Sequence, residues 1–177
     1  MKDALTIHRA LLEGEAVHEI VRLPVALAHA DELPKALGLP ADRCLVTCVY
    51  SCDGGRDGRR PFLAGVIVPA GERPPVDAVR RSVGADTVRP AHADAVNAAT
   101  EYAAGLVCPL LLPDDMPLLI DQRIVDGLPA DDVVYTATGE ASTALGIRGR
   151  TLYALCQATP ADLFTPAAPQ DPRHPVA

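Results

Sequence analysis

Apolar residues recur along the first half of the chain at two different spacings, and the switches between them mark the elements. Ala4, Ile7, Ala10 and Leu11 fall at helical intervals, which predicts a helix over Ala4–Glu13 with Gly14 as its stop. From Val17 to Leu23 the period changes to two. Val17, Glu19, Val21 and Leu23 face one way and His18, Ile20 and Arg22 the other, as in a strand. Ala28–Leu37 reads as a short helix interrupted by Pro34 and closed by Gly38. Two β-forming runs, Cys44–Ser51 and Phe62–Val68, flank Asp53-Gly54-Gly55-Arg56-Asp57-Gly58-Arg59-Arg60, which predicts a hairpin with a long glycine-rich tip.

The second half is less regular. Val76, Val79 and Val83 predict a helix over Val76–Val83, and an Ala-rich stretch predicts another over Ala91–Thr100. Leu118–Asp121 and Val133–Ala137 are short strand candidates, and Thr151–Gln157 a last helix. The closing 13 residues, from Thr165, contain four prolines and cannot form a helix or a central strand, so a disordered tail is expected over 165–177 behind one domain over 1–164. Strands and helices mix without regular βαβ alternation. The expected fold class is therefore α+β, a single domain with a curved mixed β-sheet flanked by short helices.

Composition narrows the class further. The 177 residues suit one domain with a self-sufficient core. The longest uncharged apolar run, Tyr102 to Pro113, is far short of the ~20 residues a membrane helix needs. Five cysteines behind a start with no export signal suggest reduced thiols and a cytoplasmic protein. A net charge of −7 argues against a general nucleic-acid binder and against DNA, although a specific RNA ligand on a local basic patch stays open. Arg56, Arg59, Arg60, Arg148 and Arg150 are the candidates for such a patch.

The chemical motifs are few. The Asp53–Gly58 glycines lack the Lys-Ser/Thr ending of a phosphate loop, so a hairpin tip is the better reading. His8, His18, His29, His92 and His174 are scattered singly, as exposed or core histidines. No metal site and no cofactor is expected. Cys44, Cys48 and Cys52 recur every four residues, but on a strand the outer two stand ~26 Å apart, too far to share an ion. Gly105-Leu106-Val107-Cys108-Pro109 is more informative. A loop bracketed by Gly and Pro can hold bare N–H and C=O groups rigidly against a ligand, or it can simply lead into a buried strand. Cys108 inside it is a nucleophile only if something lowers its pKa.

The order of these segments resembles a known family. Leu37-Gly38-Leu39-Pro40 is followed by a β-run with Thr47 and an apolar hairpin ending at Pro69. Next come the helix to Val83 with Gly84-Ala85, then Thr100 to Tyr102 and Gly105-x-x-x-Pro109. Leu118-Leu119-Ile120-Asp121 and Val134-Tyr135 leading to Gly139 complete the order. Together they are similar to the YbaK/prolyl-tRNA-synthetase-associated family of aminoacyl-tRNA deacylases, across residues 4 to 163. The resemblance implies a pocket that receives the aminoacyl-tRNA 3′ end or a small aminoacyl ligand, with an aminoacyl-tRNA synthetase as a further candidate partner. Gly105, Cys108 and Pro109 are then the catalytic candidates. Val46, Thr47, Cys48, Tyr50, Leu106, Val107, Asp121 and Gly139 are the substrate-binding ones. On the strand, Cys44, Val46, Cys48 and Tyr50 would present the pocket face.

Two departures stand out. The family's pocket lysine, in a Lys-Thr-apolar-apolar pattern, is Val46 here, and neither Lys2 nor Lys35 is placed to substitute. Arg43, three residues earlier, would need a bulge to point inward. The family's Thr-Gly after the second helix reads Thr100-Glu101. The implied activity is hydrolysis of a mischarged tRNA's ester in trans. The alternatives are a non-catalytic or repurposed member that binds aminoacyl-tRNA, a small aminoacyl ligand or a protein partner, and a Cys-dependent transferase or cyclising enzyme of a specialised pathway.

Overall fold

In the computed structural model, described here for residues 1–55, 58, 60–127 and 131–166, the chain folds around one mixed sheet of eight strands. Helix α1 (Ala4–Glu13) starts where Asp3 accepts the Thr6 N–H at 2.9 Å and ends at Gly14, as the pattern predicts. Its buried face is Ile7 and Leu11 with Ala4. Full burial of side chains of that size contributes roughly 1.5–3 kcal/mol each. Strand β1 (His18–Arg22) follows. It pairs on one side only, with β7 further along the chain, so Val17 and Glu19 stay exposed while Ile20 turns to the core.

The helix predicted over Ala28–Leu37 is split. A 3₁₀ turn, Ala30–Glu32, is capped by His29, and only Leu33–Leu37 is α-helical (α2). Pro34 sits in the first turn of α2, where its missing N–H costs nothing; inside one continuous helix it would break the ladder. Strands β2 (Cys44–Asp53) and β3 (Phe62–Pro69) form the expected hairpin in antiparallel register, Cys48 opposite Val66. Arg56, Asp57 and Arg59 of its tip lie outside the described residues, as does the tail beyond residue 166 with His174.

Helix α3 (Val76–Val83) ends on Gly84 at φ +70°. An unpredicted strand, β4 (Thr87–Pro90), runs antiparallel to β2, and this delays α4 to Ala93–Thr100. Glu101 ends α4 in the left-handed region, φ +62°, where glycine is the usual residue. Lys2 compensates. Its backbone N–H donates to the Glu101 carbonyl at 2.6 Å, and its Nζ reaches the Thr100 carbonyl at 2.9 Å and the Glu101 carboxylate at 3.6 Å.

Then come β5 (Leu118–Asp121), α5 (Gln122–Gly127), β6 (Val133–Ala137), β7 (Thr143–Arg148), α6 (Gly149–Cys156) and β8 (Thr159–Ala161). Of these α5, β7 and β8 were not predicted. In β7 nearly every residue is buried, so no alternation marks it. The strand order is β1-β7-β6-β2-β3-β5-β8, with β4 also on β2. The β2–β6, β3–β5 and β5–β8 pairs are parallel and the others antiparallel. The architecture is α+β, as expected. Among the described residues no helix is long and apolar enough to cross a membrane.

Candidate functional site

The site begins with a gap in the sheet. Strand β2 pairs with β6 only at Cys44 and Leu45, and with β4 only from Tyr50 to Asp53. Between them its edge has no strand neighbour. Backbone groups alternate sides along an antiparallel strand. The Val49 carbonyl points to this edge, because it accepts the Ala91 N–H at 3.0 Å. The N–H and C=O of Thr47, two residues back, point the same way, and no strand pairs with them there. The Thr47 side chain is 6% exposed, and its Oγ1 is buried with no hydrogen-bond partner among the described residues. A buried hydroxyl without a partner costs about 1–3 kcal/mol, so something normally fills that role.

The gap opens into a cavity of about 380 Å³, with Thr47, Cys48, Val49 and Tyr50 forming one wall. The loop from Tyr102 to Pro109 crosses it and supplies Ala104, Gly105 and Val107. This loop is rigid for identifiable reasons. Asn97 Oδ1 accepts the Ala104 N–H at 2.7 Å, the Ala103 carbonyl accepts the Leu106 N–H at 3.0 Å, and the Gly105 carbonyl accepts the Ala30 N–H at 2.8 Å. Gly105 has φ +84°, and a Cβ there would stand 3.0 Å from His29 Cδ2 and 3.1 Å from the Ala28 carbonyl oxygen. The glycine is therefore needed for backbone conformation and for the close approach of residues 28–29.

Apart from those that line the cavity, the remaining expected residues separate into four places. Cys44 and Val46 share the cavity face of β2 in register, but both are buried in the core beneath it with Leu106, not exposed to the cavity. Only Cys48 and Tyr50 of that face line the cavity, which opens beyond the two residues where β6 pairs with the strand. Cys108 is fully buried against Tyr102, and Gly139, φ +89°, packs on the Lys2 carbonyl and the Tyr102 ring. Asp121 lies on β5, 1% exposed, bound to Arg123 at 2.6 Å, and is not among the cavity's lining residues. Pro109 faces a different, larger groove of about 560 Å³ together with Leu111 and Met116. That groove holds no other expected site residue, so its size does not make it the site.

Burial acts on the thiols. It pushes Cys48 up to about 11 and Cys108 up to about 12, from an ordinary 9.0, so both are neutral at physiological pH. Tyr50 is pushed up to about 12 by the same cause and stays a phenol.

Two residues of the wall escaped the sequence reading. His29, read there as an isolated histidine, lines the cavity beside Gly105. Its Nδ1 is 3.1 Å from the Asp31 backbone nitrogen and 3.0 Å from the Asp31 carboxylate; a neutral ring accepts the first contact and a protonated ring donates the second. Arg73 is the cavity's cation. Its Nη2 donates to Asp31 Oδ2 at 2.6 Å and its Nη1 to Asp31 Oδ1 at 3.3 Å, while the Gly71 N–H also donates to Asp31 at 2.8 Å. Desolvation opposes ionisation of Asp31, but these hydrogen bonds and the guanidinium hold its carboxyl below the usual range. The signal for Arg73 is its place between Gly71 and Pro74-Pro75, of which Pro74 also lines the cavity. By contrast Arg43 binds Asp132 and the Val133 carbonyl, and Arg148 and Arg150 bind Asp131. Of the expected basic patch, Arg60, Arg148 and Arg150 are exposed and within the described residues, and none of them lines the cavity.

Comparison with known proteins places this cavity in context. The profile of a family described as aminoacyl-tRNA editing domain matches residues 25–154. No curated protein matches. Among solved structures, the chain is similar to one described as a candidate trans-editing enzyme for prolyl tRNA synthetase, with 25% identity and a TM-score of 0.70 over 90% of this chain and 95% of the other. A scaffold protein used for epitope backbone grafting matches at 27% identity and a TM-score of 0.71, over 91% and 96%. The hypothetical protein APE2540 matches at 21% identity and a TM-score of 0.72, over 89% and 97%, which bears on the fold alone.

Proposed function

The chain belongs to the aminoacyl-tRNA editing domain family, and from that premise we propose that it hydrolyses the ester of a mischarged tRNA in trans. The observation that carries the reading is the edge gap at Thr47. Among the described residues the Thr47 N–H and C=O at that edge have no strand partner, and the buried Thr47 hydroxyl has no hydrogen-bond partner, beside the Gly105 loop. A ribose hydroxyl or an ester oxygen satisfies such a set. The backbone N–H is also a preorganised donor for the oxyanion that forms when water attacks the ester carbonyl. Water supplies the hydroxyl of the released amino acid, and the ribose oxygen leaves with a proton.

A thiol nucleophile fits the cavity poorly. Cys48 at about 11 is ionised in only about one molecule in 10⁴ at pH 7. A non-catalytic binder of aminoacyl-tRNA is the second reading. It is favoured by one feature, the buried apolar Val46 where the family carries its lysine. Losing such a cation typically lowers the rate by ~10²–10³.

The deciding experiment is deacylation of Cys-, Ala- and Ser-tRNA carrying the proline anticodon. That choice follows the structural relative described as acting for prolyl tRNA synthetase. Turnover by the wild-type protein above the uncatalysed rate establishes the hydrolase. Binding of these tRNAs without turnover establishes the binder.

A further inference from the structure

Among the described cavity-lining residues Arg73 is the one permanent charge, and its hydrogen bonds are only partly used. Nη1 donates to Asp31 and to the Glu72 carbonyl, at 3.3 and 2.6 Å, and Nη2 donates once, to Asp31. The Nε–H and the second Nη2 hydrogen have no partner among the described residues. The side chain is 41% exposed, so this half of the fork is open to a ligand arriving at the rim. Asp31, itself held by the Gly71 N–H, fixes the plane of the guanidinium in advance.

The chemistry of the substrate class then selects the partner. In an aminoacyl ester the carboxyl is esterified and uncharged, and the α-amine is a cation that Arg73 repels. Beyond the amino acid, the nearest anion to that ester is the phosphodiester joining the terminal nucleotide to the one before it. We infer that Arg73 binds this phosphate at the cavity rim, while Thr47 engages the ester end. The inference rests on the aminoacyl-tRNA reading and adds the contact that sets register. A phosphate suits the rim, because there it keeps part of its hydration, which burial would cost it.

The experiment is the salt dependence of binding of an uncharged acceptor-stem RNA with a single-stranded 3′ end. Wild-type protein, Arg73→Gln and Arg73→Lys are compared between about 50 and 200 mM salt. Loss of one phosphate contact flattens the slope of log K against log salt by about 0.7, a change that a purely structural role for Arg73 does not produce. Arg73→Gln is expected to weaken binding about ten- to a hundredfold at low salt. Arg73→Lys, which keeps the charge but not the fork, should fall between the two and retain the wild-type slope. An unchanged slope in Arg73→Gln overturns the inference, and thermal melts identify a variant that has lost its fold, in which case Arg73→Lys affinity decides. A second arm compares hydrolysis of the aminoacylated RNA with that of an aminoacyl-adenosine, which has no such phosphate. The Arg73→Gln penalty should be much larger on the RNA. Equal penalties on both, or a penalty confined to esters of acidic amino acids, place Arg73 on the aminoacyl group and refute the phosphate assignment. Failure of the wild-type protein to hydrolyse either ester overturns the hydrolase reading and leaves the slope test of Arg73 standing.

Discussion

Replacing Thr47 by valine should make this protein more stable and less active. Thr47 is 6% exposed, its Oγ1 is buried, and no partner within the described residues satisfies it. Valine has nearly the same shape, keeps the β-branching that suits a strand, and removes the hydroxyl. Relief of that desolvation is worth about 1–2 kcal/mol. For a chain of this size each 1 kcal/mol moves Tm by about 2–4 °C, so a rise of roughly 2–8 °C is expected. If the hydroxyl serves the ligand, the same change removes one hydrogen bond to it and lowers kcat/KM for deacylation about tenfold.

Thr136 is the control. It is also buried, its Oγ1 has no partner among the described residues, and it lies on β6 opposite Leu145 and does not line the cavity. Thr136→Val should therefore raise Tm without touching activity. Thermal melts and deacylation assays on both variants separate the two effects. A Thr47→Val protein that melts lower than wild type, or that melts higher with unchanged kcat/KM, refutes the argument. The first result means that the hydroxyl is satisfied inside the fold; the second means that it faces no ligand.

Gly105→Ala should destabilise the protein by about 1–2 kcal/mol, because it forces a left-handed φ of +84° on a residue with a Cβ and crowds His29 and Ala28. Urea titration checks the stability, and the activity loss should exceed what the unfolded fraction explains. The thiols predict a specific pH response. Cys44, Cys48 and Cys52, at about 11, and Cys108, at about 12, hold their protons in the fold, whereas the unfolded chain releases them near 9.0. Stability should hold below pH 9 and fall between about pH 9 and 12, with Cys108 alone giving up to ~1.4 kcal/mol per pH unit. Cys108→Ala should show a shallower decline in denaturation midpoints, and an unchanged slope shows that the thiol is not desolvated. Iodoacetamide at neutral pH should leave deacylation intact.

Much of the fold is written in local pattern. Ile7 and Leu11 at helical spacing, Gly14 and Gly84 as stops, and the two apolar runs around the glycine-rich tip each specify their element through short-range geometry. The elements that stayed hidden are those whose form depends on partners. Residues 143–148 show no alternation because β7 is covered on both faces, and residues 87–90 become β4 only because β2 offers them an edge.

The candidate site divides along the same line. The Gly105 loop could be singled out from the sequence because glycine and proline mark conformations that few other residues adopt, whereas Thr47 entered only through the family resemblance. The expected thiol and carboxylate chemistry could not be judged from spacing. Cys108 and Asp121 are close in sequence to cavity elements, yet the packing turns Cys108 into the core and ties Asp121 to Arg123. The resemblance marked Val46 as standing where the family has a lysine, but only the tertiary structure brings Arg73 to the cavity, 27 residues further along the chain and across a hairpin. A charge acts through space and is screened by what surrounds it, so its role belongs to the folded arrangement and not to its place in the sequence.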